Sequence, residues 1–593
     1  MIRERLARRV RLATTADSGY ALAVVIGIGL VMIIMIAGSL SVTTSGLTRA
    51  DTDQDRIAAE AAAYAGVAEY QSRLSNDSTY QKYGNPAAKF SIASGSTVAL
   101  PTGAAANPAF GVLSSGTWAT VPSGDPGVAP TASFRYEVDN SKYQLSGIIR
   151  VRSTGKVGNV TRTLVADLKQ EGFIDFIYFT DFETFDPDLF GGTDCDRYLW
   201  ATAEPRGTGC NTITFAAVDT FNGPVHTNDH MTVCGSTFNG NVTSSSTKTP
   251  TFTKPSGCNN PAGSFGAGPG YRSVVPMPST NAEMKKETRN DLAEVPRPGC
   301  LYTGPTTITL LNNGKMNVVS PYTKFTNTAA TKAAATNPAQ CGVPGTASGS
   351  LGSPGGATID VLDFNLIFVQ NVPAGNGDAN YWGTSTPANF VCSNKGSRLE
   401  GWVFDTIRYP LVNETMPSTS ASSAPAYGCL NGDVYVKGAL DGALTIATEN
   451  YVYVTGDITY VDPAESILGL VGNNAIWVWN PMNNSTSMIG GSGRTINAAL
   501  LSVAHTVMVQ NYEKGANRGT LRINGAIAQK FRGTVATSAT GASVPTTGYS
   551  KNYNYDDRLR AIAPPKFLSP VSTNYGVTKF ANVPAAFKPD GSW

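Results

Sequence analysis

Charge is what this 593-residue chain has least of: Asp, Glu, Lys and Arg make up only 15% of it, against about 25% in an ordinary globular protein. The few charges nearly balance, with 45 basic and 43 acidic residues, and no basic stripe follows the first eleven positions. A nucleic-acid binder needs such a stripe to displace counterions from phosphate, so nucleic-acid partners are excluded. Histidine is scarcer still, at three residues, and neither a C-x-x-C pair nor a G-x-S-x-G elbow occurs. Zinc fingers and elbow-type serine hydrolases therefore lack their signatures. Helical periodicity vanishes after residue 75, while glycine reaches 61 residues. The bulk of the chain reads as mainly β and rich in turns.

What is present begins with a basic head, Arg3, Arg5, Arg8, Arg9 and Arg11, followed by Asp17-Ser18-Gly19 and an uncharged, mostly apolar run from Tyr20 to about Thr48. A run of that length can cross the ~30 Å hydrocarbon core as a helix. The positive-inside bias keeps the arginines cytoplasmic and puts the residues after Arg49 outside. Three readings compete. A cleaved secretory signal would end near Ala37-Gly38-Ser39, but Tyr20 to Ile36 already exceeds the usual apolar region of about 7 to 15 residues. An uncleaved signal anchor fits the length and the flanks. A prepilin-type leader, residues 1–19, would be cut after Gly19 to leave Tyr20 as the new N-terminus.

Beyond the span the chain stays helical through "RIAAEAAAYAGVAEYQSRL", where Ile57, Ala61, Tyr64 and Ala68 recur at the spacing of one apolar face. Residues 20–75 are thus expected to form one helix, transmembrane and then amphipathic, with its second half packed on a globular head. The segment "DSGYALAVVIGIGLVMIIMIAGSLSV" followed by "AAEAAAYAGVAEYQSRL" resembles the N-terminus of PilX-type type IV pilus assembly proteins. The resemblance implies processing between Gly19 and Tyr20 and other pilin-like subunits as partners. Major pilins carry Glu at the fifth mature position, where this chain has Val24. The departure points to a minor subunit rather than a filament-forming one.

Residues 76–170 read as a small antiparallel β domain. "FRYEVD", "YQLSGIIRVRST" and "TRTLVADLKQ" alternate in polarity, with turn residues in "GKVGNV" and a loop-rich stretch from Ser91 to Ala132 before them. From residue 171 to about 570, short Val- and Ile-rich runs are separated by Gly, Asn and Asp, nearly without a break from Gly432 to Val535. Such a succession suggests a large parallel β-helix, interrupted by insertions between about 236 and 361; a β-sandwich is the alternative. The strings "FIDFIYFTDFETFDP", "GPVHTND" and "INGAIAQKFRG" resemble β-helical regions attached to PilX-like N-termini in uncharacterised bacterial surface proteins. Residues 571–593 read as a tail over the last coils, anchored by the preceding Tyr553, Tyr555 and Phe567.

Candidate sites are few. Cys195, Cys210, Cys234, Cys258, Cys300, Cys341, Cys392 and Cys429 form an even set that reads as disulfides outside the cytoplasm. Cys195 with Cys210, then Cys234 with Cys258, are the expected neighbouring pairs; the order of the others leaves pairing open. Asp181, Glu183, Asp186 and Asp188, with Asp194 and Asp196 behind them, offer hard oxygen ligands for calcium without EF-hand spacing. His226, Asn228, Asp229 and His230 read as a β corner with backbone hydrogen bonds, or as a metal site lacking a third ligand. Asp433, Asp441 and Asp457 would have to share one face to cleave a glycan, and His505 is the only histidine in the C-terminal half. The reading that results is a non-catalytic cell-surface protein, pilin-like and pilus-associated, with adhesion to a surface glycan as a possible role and no cofactor beyond the candidate calcium. The alternative is a signal-anchored extracellular enzyme or lectin acting on polysaccharide.

Overall fold

The computed structural model describes residues 18–102, 106–112, 118–122, 131–143, 148–170, 172–393, 400–417, 425–540, 542–560, 562–568 and 575–592. The basic leader up to residue 17 lies outside the described residues, as do the side chains of 18–25, 27 and 37–49, Gly19, Tyr20 and Val24 among them. The chain opens with one helix, Ser18–Asn76. Among the described residues no helix is long and apolar enough to cross a membrane.

The second half of the helix lies on a five-stranded antiparallel sheet. Its strands Ala132–Asp139, Ile148–Val157 and Val160–Gln170 form the expected meander. The helix face differs from the expected one. Ile57 and Tyr64 are 72% and 41% exposed, and Ala61 and Ala68 are exposed beside them. Ala59, Ala62, Ala63, Val67, Tyr70 and Leu74 are buried against the sheet instead. The reason is steric. A Cβ on Gly155 would stand 2.0 Å from the Ala59 carbonyl oxygen, so the backbones approach so closely that only small residues fit at the crossing.

The sheet is completed from the far end of the chain. Tyr575–Val583 pairs antiparallel with Val160–Gln170, and Gln71 Nε2 donates to the Tyr575 carbonyl. Most of the segment read as a tail therefore belongs to the head. Tyr553 is no tail anchor either: it is buried within the strand Thr547–Tyr555. Phe567 does pack back on the body, against the cluster containing Ala443, Ile467 and Leu559.

Residues 172–568 build a second, mainly parallel sheet of 22 strands among the described residues. From Tyr178–Phe182 the chain steps outward in parallel pairings to Val225–Thr227, Val242–Ser244 and Gly270–Tyr271. A Pro-rich strap, residues 272–299, then carries it to the opposite end of the sheet. There Cys300–Thr303 and Thr306–Leu310 start a run that returns along two parallel ladders: Cys300–Thr303, Asn365–Gln370, Ala443–Thr448, Ile467–Gly472, Arg494–Ser502 and Asn517–Phe531 pair in turn on one, and Thr306–Leu310, Val434–Leu440, Val452–Tyr460 and Ile476–Val478 on the other. The two runs meet in the middle. Asn517–Phe531 pairs with Thr547–Tyr555 along its first part and with Tyr178–Phe182 along its last, while Asn552–Asn554 pairs with Thr220–Asn222. One layer of the stack is therefore composed of segments from both ends of the region.

The inward core is Val, Ile and Leu throughout the return run, with Val434, Ile446, Val454, Leu470, Val478, Leu500 and Val509 all buried. Outward apolar side chains are covered by insertions. The strap lays Val275, Met277 and Met284 over Phe179, Leu501, Val471 and Phe368, and Asn281 Nδ2 donates to the Thr448 carbonyl at 2.7 Å. The described residues between 371 and 433 cover another face, where Tyr435 and Tyr453 stack at 4.8 Å beneath Tyr409, Tyr427 and Trp402.

Candidate functional site

A concavity lies where the head meets the stack. Its residues come from two consecutive turns of the same form, Phe221-Asn222-Gly223-Pro224-Val225 and Phe238-Asn239-Gly240-Asn241-Val242. Phe221 and Phe238 point into the core, so each following Asn is brought to the outer side by the two-residue alternation of a strand. The asparagines then bond to one another across layers. Asn239 Nδ2 donates to Asn222 Oδ1 at 2.7 Å, Asn222 Nδ2 to Asn554 Oδ1 at 2.7 Å, Asn554 Nδ2 to Asn524 Oδ1 at 3.0 Å, and Asn524 Nδ2 to Asn497 Oδ1 at 2.8 Å. This amide ladder runs through the composite layer and ties the two runs together. Gly223, at φ 152°, is required because a Cβ there would stand 2.4 Å from Tyr555 Cβ.

The cleft encloses about 740 Å3 and is lined by both Asn-Gly turns, by Phe176, Arg272, Tyr555 and Arg560 from the stack, and by Lys169, Gly576 and Val577 from the head. Two carboxylates, Asp175 and Asp557, share it. Lys169 Nζ donates to the Leu559 carbonyl at 2.5 Å and pairs with Asp175 at 3.1 Å, and the Tyr555 hydroxyl donates to the Ile174 carbonyl at 2.9 Å. The walls are thus braced against each other. A smaller hollow of about 290 Å3 presents Lys285, Lys286, Arg289 and Lys332, but Lys286 pairs with Glu283 and Arg289 with Asp291.

The residues singled out from sequence are placed as follows. All eight cysteines are bridged in consecutive pairs, Cys195–Cys210, Cys234–Cys258, Cys300–Cys341 and Cys392–Cys429. The candidate calcium carboxylates are not gathered round a point. Asp181 accepts from Tyr198 and Asn228, both at 2.8 Å; Glu183 pairs with Arg532 at 2.7 Å; Asp186 meets His505 at 2.8 Å; Asp188 lies 3.9 Å from the same ring. Among the described residues no group of three or more His, Cys, Asp or Glu side chains is placed to hold a metal ion. Burial lifts the Asp181 carboxyl to about 6.

His226 lies between Thr243 Oγ1 at 2.9 Å and Asn228 Oδ1 at 3.1 Å, and burial lowers its pKa to about 4, so it is neutral. His230 bonds Ser246 and Thr253. Both are buried hydrogen-bonding residues, His226 within the strand Val225–Thr227 and His230 in the link to the next strand, Met231–Cys234. Of the three aspartates of the glycan-cleaving arrangement, Asp433 is set apart from Asp457 by burial, and Asp441 is half-buried in the turn before Ala443–Thr448. Asp433 is fully buried, accepting from Asn450 and Tyr451, with burial pushing it up to about 8. Asp457 is 61% exposed beside Arg494.

The cleft itself was legible in one signal that sequence reading passed over: the F-N-G-x-V string repeats at an interval of 17 residues. Its other residues, Arg272, Tyr555 and Arg560, come from distant segments and carry no local mark.

No protein-family model and no curated protein matches the chain. Among solved structures a likeness is found to the competence-associated pilin ComZ from Thermus thermophilus, at 12% identity and a TM-score of 0.25, covering 89% of this chain and 97% of that one. At that TM-score the likeness carries no argument about fold or function.

Proposed function

We propose that this chain is a non-catalytic, pilin-like minor subunit of a type IV pilus or a related assembly, mounted by its long helix and displaying the stack outside the cell as a parallel β-helix. One observation carries the reading: the helix has more apolar surface than the head covers. Ile26, Leu30, Ile33 and Ile36 are 58 to 67% exposed, and the side chains between them that are described are open as well. Further along, Ile57, Ala61, Tyr64 and Ala68 form a second exposed apolar stripe beside the buried face, and Phe580 of the last head strand, itself 47% exposed, continues it edge-on to Tyr64 at 5.2 Å. Apolar surface of this extent calls for an apolar partner. Neighbouring helices of an assembly supply one, and the membrane holds the first half of the helix before assembly.

The PilX-type resemblance supports the same reading, and Val24 in place of Glu fits a minor position. Four disulfides suit an oxidising compartment outside the cytoplasm. The test is to place charge on the stripe. Ile57→Asp combined with Tyr64→Asp leaves the buried helix face intact and is expected to remove the protein from sheared surface filaments. Unchanged recovery of the variant in that fraction would contradict the reading.

A further inference from the structure

We infer that Lys551 and Asp219 condense into an isopeptide bond, an amide between their side chains that ties the two runs of the stack covalently. A lysine is out of place where this one stands. In the strand Thr547–Tyr555 it alternates with Tyr549 and Tyr553, so the two-residue period turns it with them toward the core, and all three are buried. There Lys551 Nζ donates to Asp219 Oδ2 at 2.8 Å, across 332 residues of chain. Asp219 is itself 2% exposed and shortly precedes the core residue Phe221. Two further charges complete the group. Arg532 Nη1 meets Glu183 at 2.7 Å, and Arg532 Nη2 stands 4.0 Å from Asp219 Oδ2.

Burial favours the reaction in two ways. It disfavours the ammonium, lowering the Lys551 pKa toward the free amine that attacks. Condensation also removes two buried charges at once, and Arg532 with Glu183 remain as a neutral pair, so no charge is stranded. The hydrogen bond already holds the nitrogen beside the carboxyl carbon, and a fixed approach of this kind is equivalent to ~10⁵–10⁸ M of free reactant. The Ala216 N–H donates to Oδ2 at 3.2 Å, and the Arg532 guanidinium is fixed over Phe215 at 3.5 Å from the ring centre. Both place positive charge where the tetrahedral state is negative. The Nζ lone pair forms the new C–N bond, one carboxyl oxygen departs with the electron pair of the old C–O bond, and it leaves as water with two of the Nζ protons. Nothing is oxidised or reduced. The position of the pair gives the bond its use: the four disulfides span sequence separations of 15 to 41, each within a single run, whereas the amide crosses between runs.

The bond is independent of the mounting role, since a chain that failed to join filaments would still form it. The full chain, purified in detergent and then reduced and denatured, is expected to weigh one water less than its N-terminus and sequence require. Trypsin should fail to cut after Lys551, and tandem mass spectrometry should find a branched peptide joining Lys551 to the segment that holds Asp219. Lys551→Met should restore the full mass expected of that variant. A succinimide at Asp441-Gly442 or Asp590-Gly591 also loses water, but it persists in Lys551→Met and leaves cleavage after Lys551 intact. If that variant does not fold, digestion of the unsubstituted chain decides alone. Full mass in the unsubstituted chain, a lost water that survives Lys551→Met, or cleavage after Lys551 with Asp219 recovered in a linear peptide would overturn the inference.

Discussion

The return run of the stack and the layer where the two runs meet hold themselves together differently. From Val434 to Val509 successive layers follow one another along the chain, through links that are short except between Val478 and Arg494, and their interior is aliphatic. In the composite layer, neighbours more than 300 residues apart must find one another, and the interior there is charged. Arg532 pairs with Glu183 at 2.7 Å, with both side chains fully buried, and Lys551 pairs with Asp219 at 2.8 Å. Each pair joins one residue from the outward run to one from the return run. Tyr178 accepts from Gln529 Nε2 across the same boundary at 2.9 Å. Where the chain is continuous, short connections fix the register and non-directional burial is enough. Where it is not, a shifted pairing would strand a buried charge, so directional contacts specify the partner.

The largest way to break this contrast is at Arg532. Arg532→Met leaves the buried Glu183 without its cation, only the Thr180 hydroxyl still donating to it, and is expected to cost ~3–5 kcal/mol, measured by urea unfolding. Adding Glu183→Leu should recover most of that loss, because the remaining charge is removed. If the double variant is as unstable as the single one, the ion pair does more than avoid a stranded charge. In the return run, Leu470→Ala should cost ~2–5 kcal/mol by leaving a cavity, with no second-site rescue of the electrostatic kind. At the outer end of that run, Cys300–Cys341 closes a loop of sequence separation 41. Replacing both cysteines by Ala should cost ~2–4 kcal/mol.

The ladder crosses both regions and sharpens the comparison. Asn524→Ala leaves Asn497 Oδ1 without its donor and Asn554 Nδ2 without its acceptor, for an expected ~1–2 kcal/mol. A pH-dependent effect sets Asp433 apart, the strongly perturbed carboxyl at the start of the return run. Burial holds it protonated up to about 8, whereas in the unfolded chain it ionises near ~4. The folded state therefore binds the extra proton between those values, and stability falls as pH rises from about 4 to about 8. Asp433→Asn should stabilise the chain at pH 8 and change little at pH 4, read from unfolding midpoints at the two pH values.

Much of this architecture is legible in the residues, and the failures have physical causes. The helix and the meander were visible in their periodicities, and Cys195 with Cys210 in their proximity. The packed helix face was misread because apolar size suggested Ile57 and Tyr64, while the crossing is set by what fits against Gly155. Tyr575–Val583 hid because a register shift between Val577 and Lys579 breaks its alternation. The order of layers was beyond reach, since Val- and Ile-rich strands carry no mark of which neighbour they will meet. The cleft inherits that difficulty: its Asn-Gly floor is local, whereas Arg272, Tyr555 and Arg560 reach it only through the non-sequential stacking.

The central claim is that the helix mounts this protein in a pilin-like assembly, and its most direct test is the mass of the mature N-terminus. Protein recovered from the cell surface is expected to begin at Tyr20, with the leader retained when the prepilin peptidase is deleted. A mature chain that keeps its basic leader in peptidase-positive cells, or one that begins after Ala37-Gly38-Ser39, would contradict the claim.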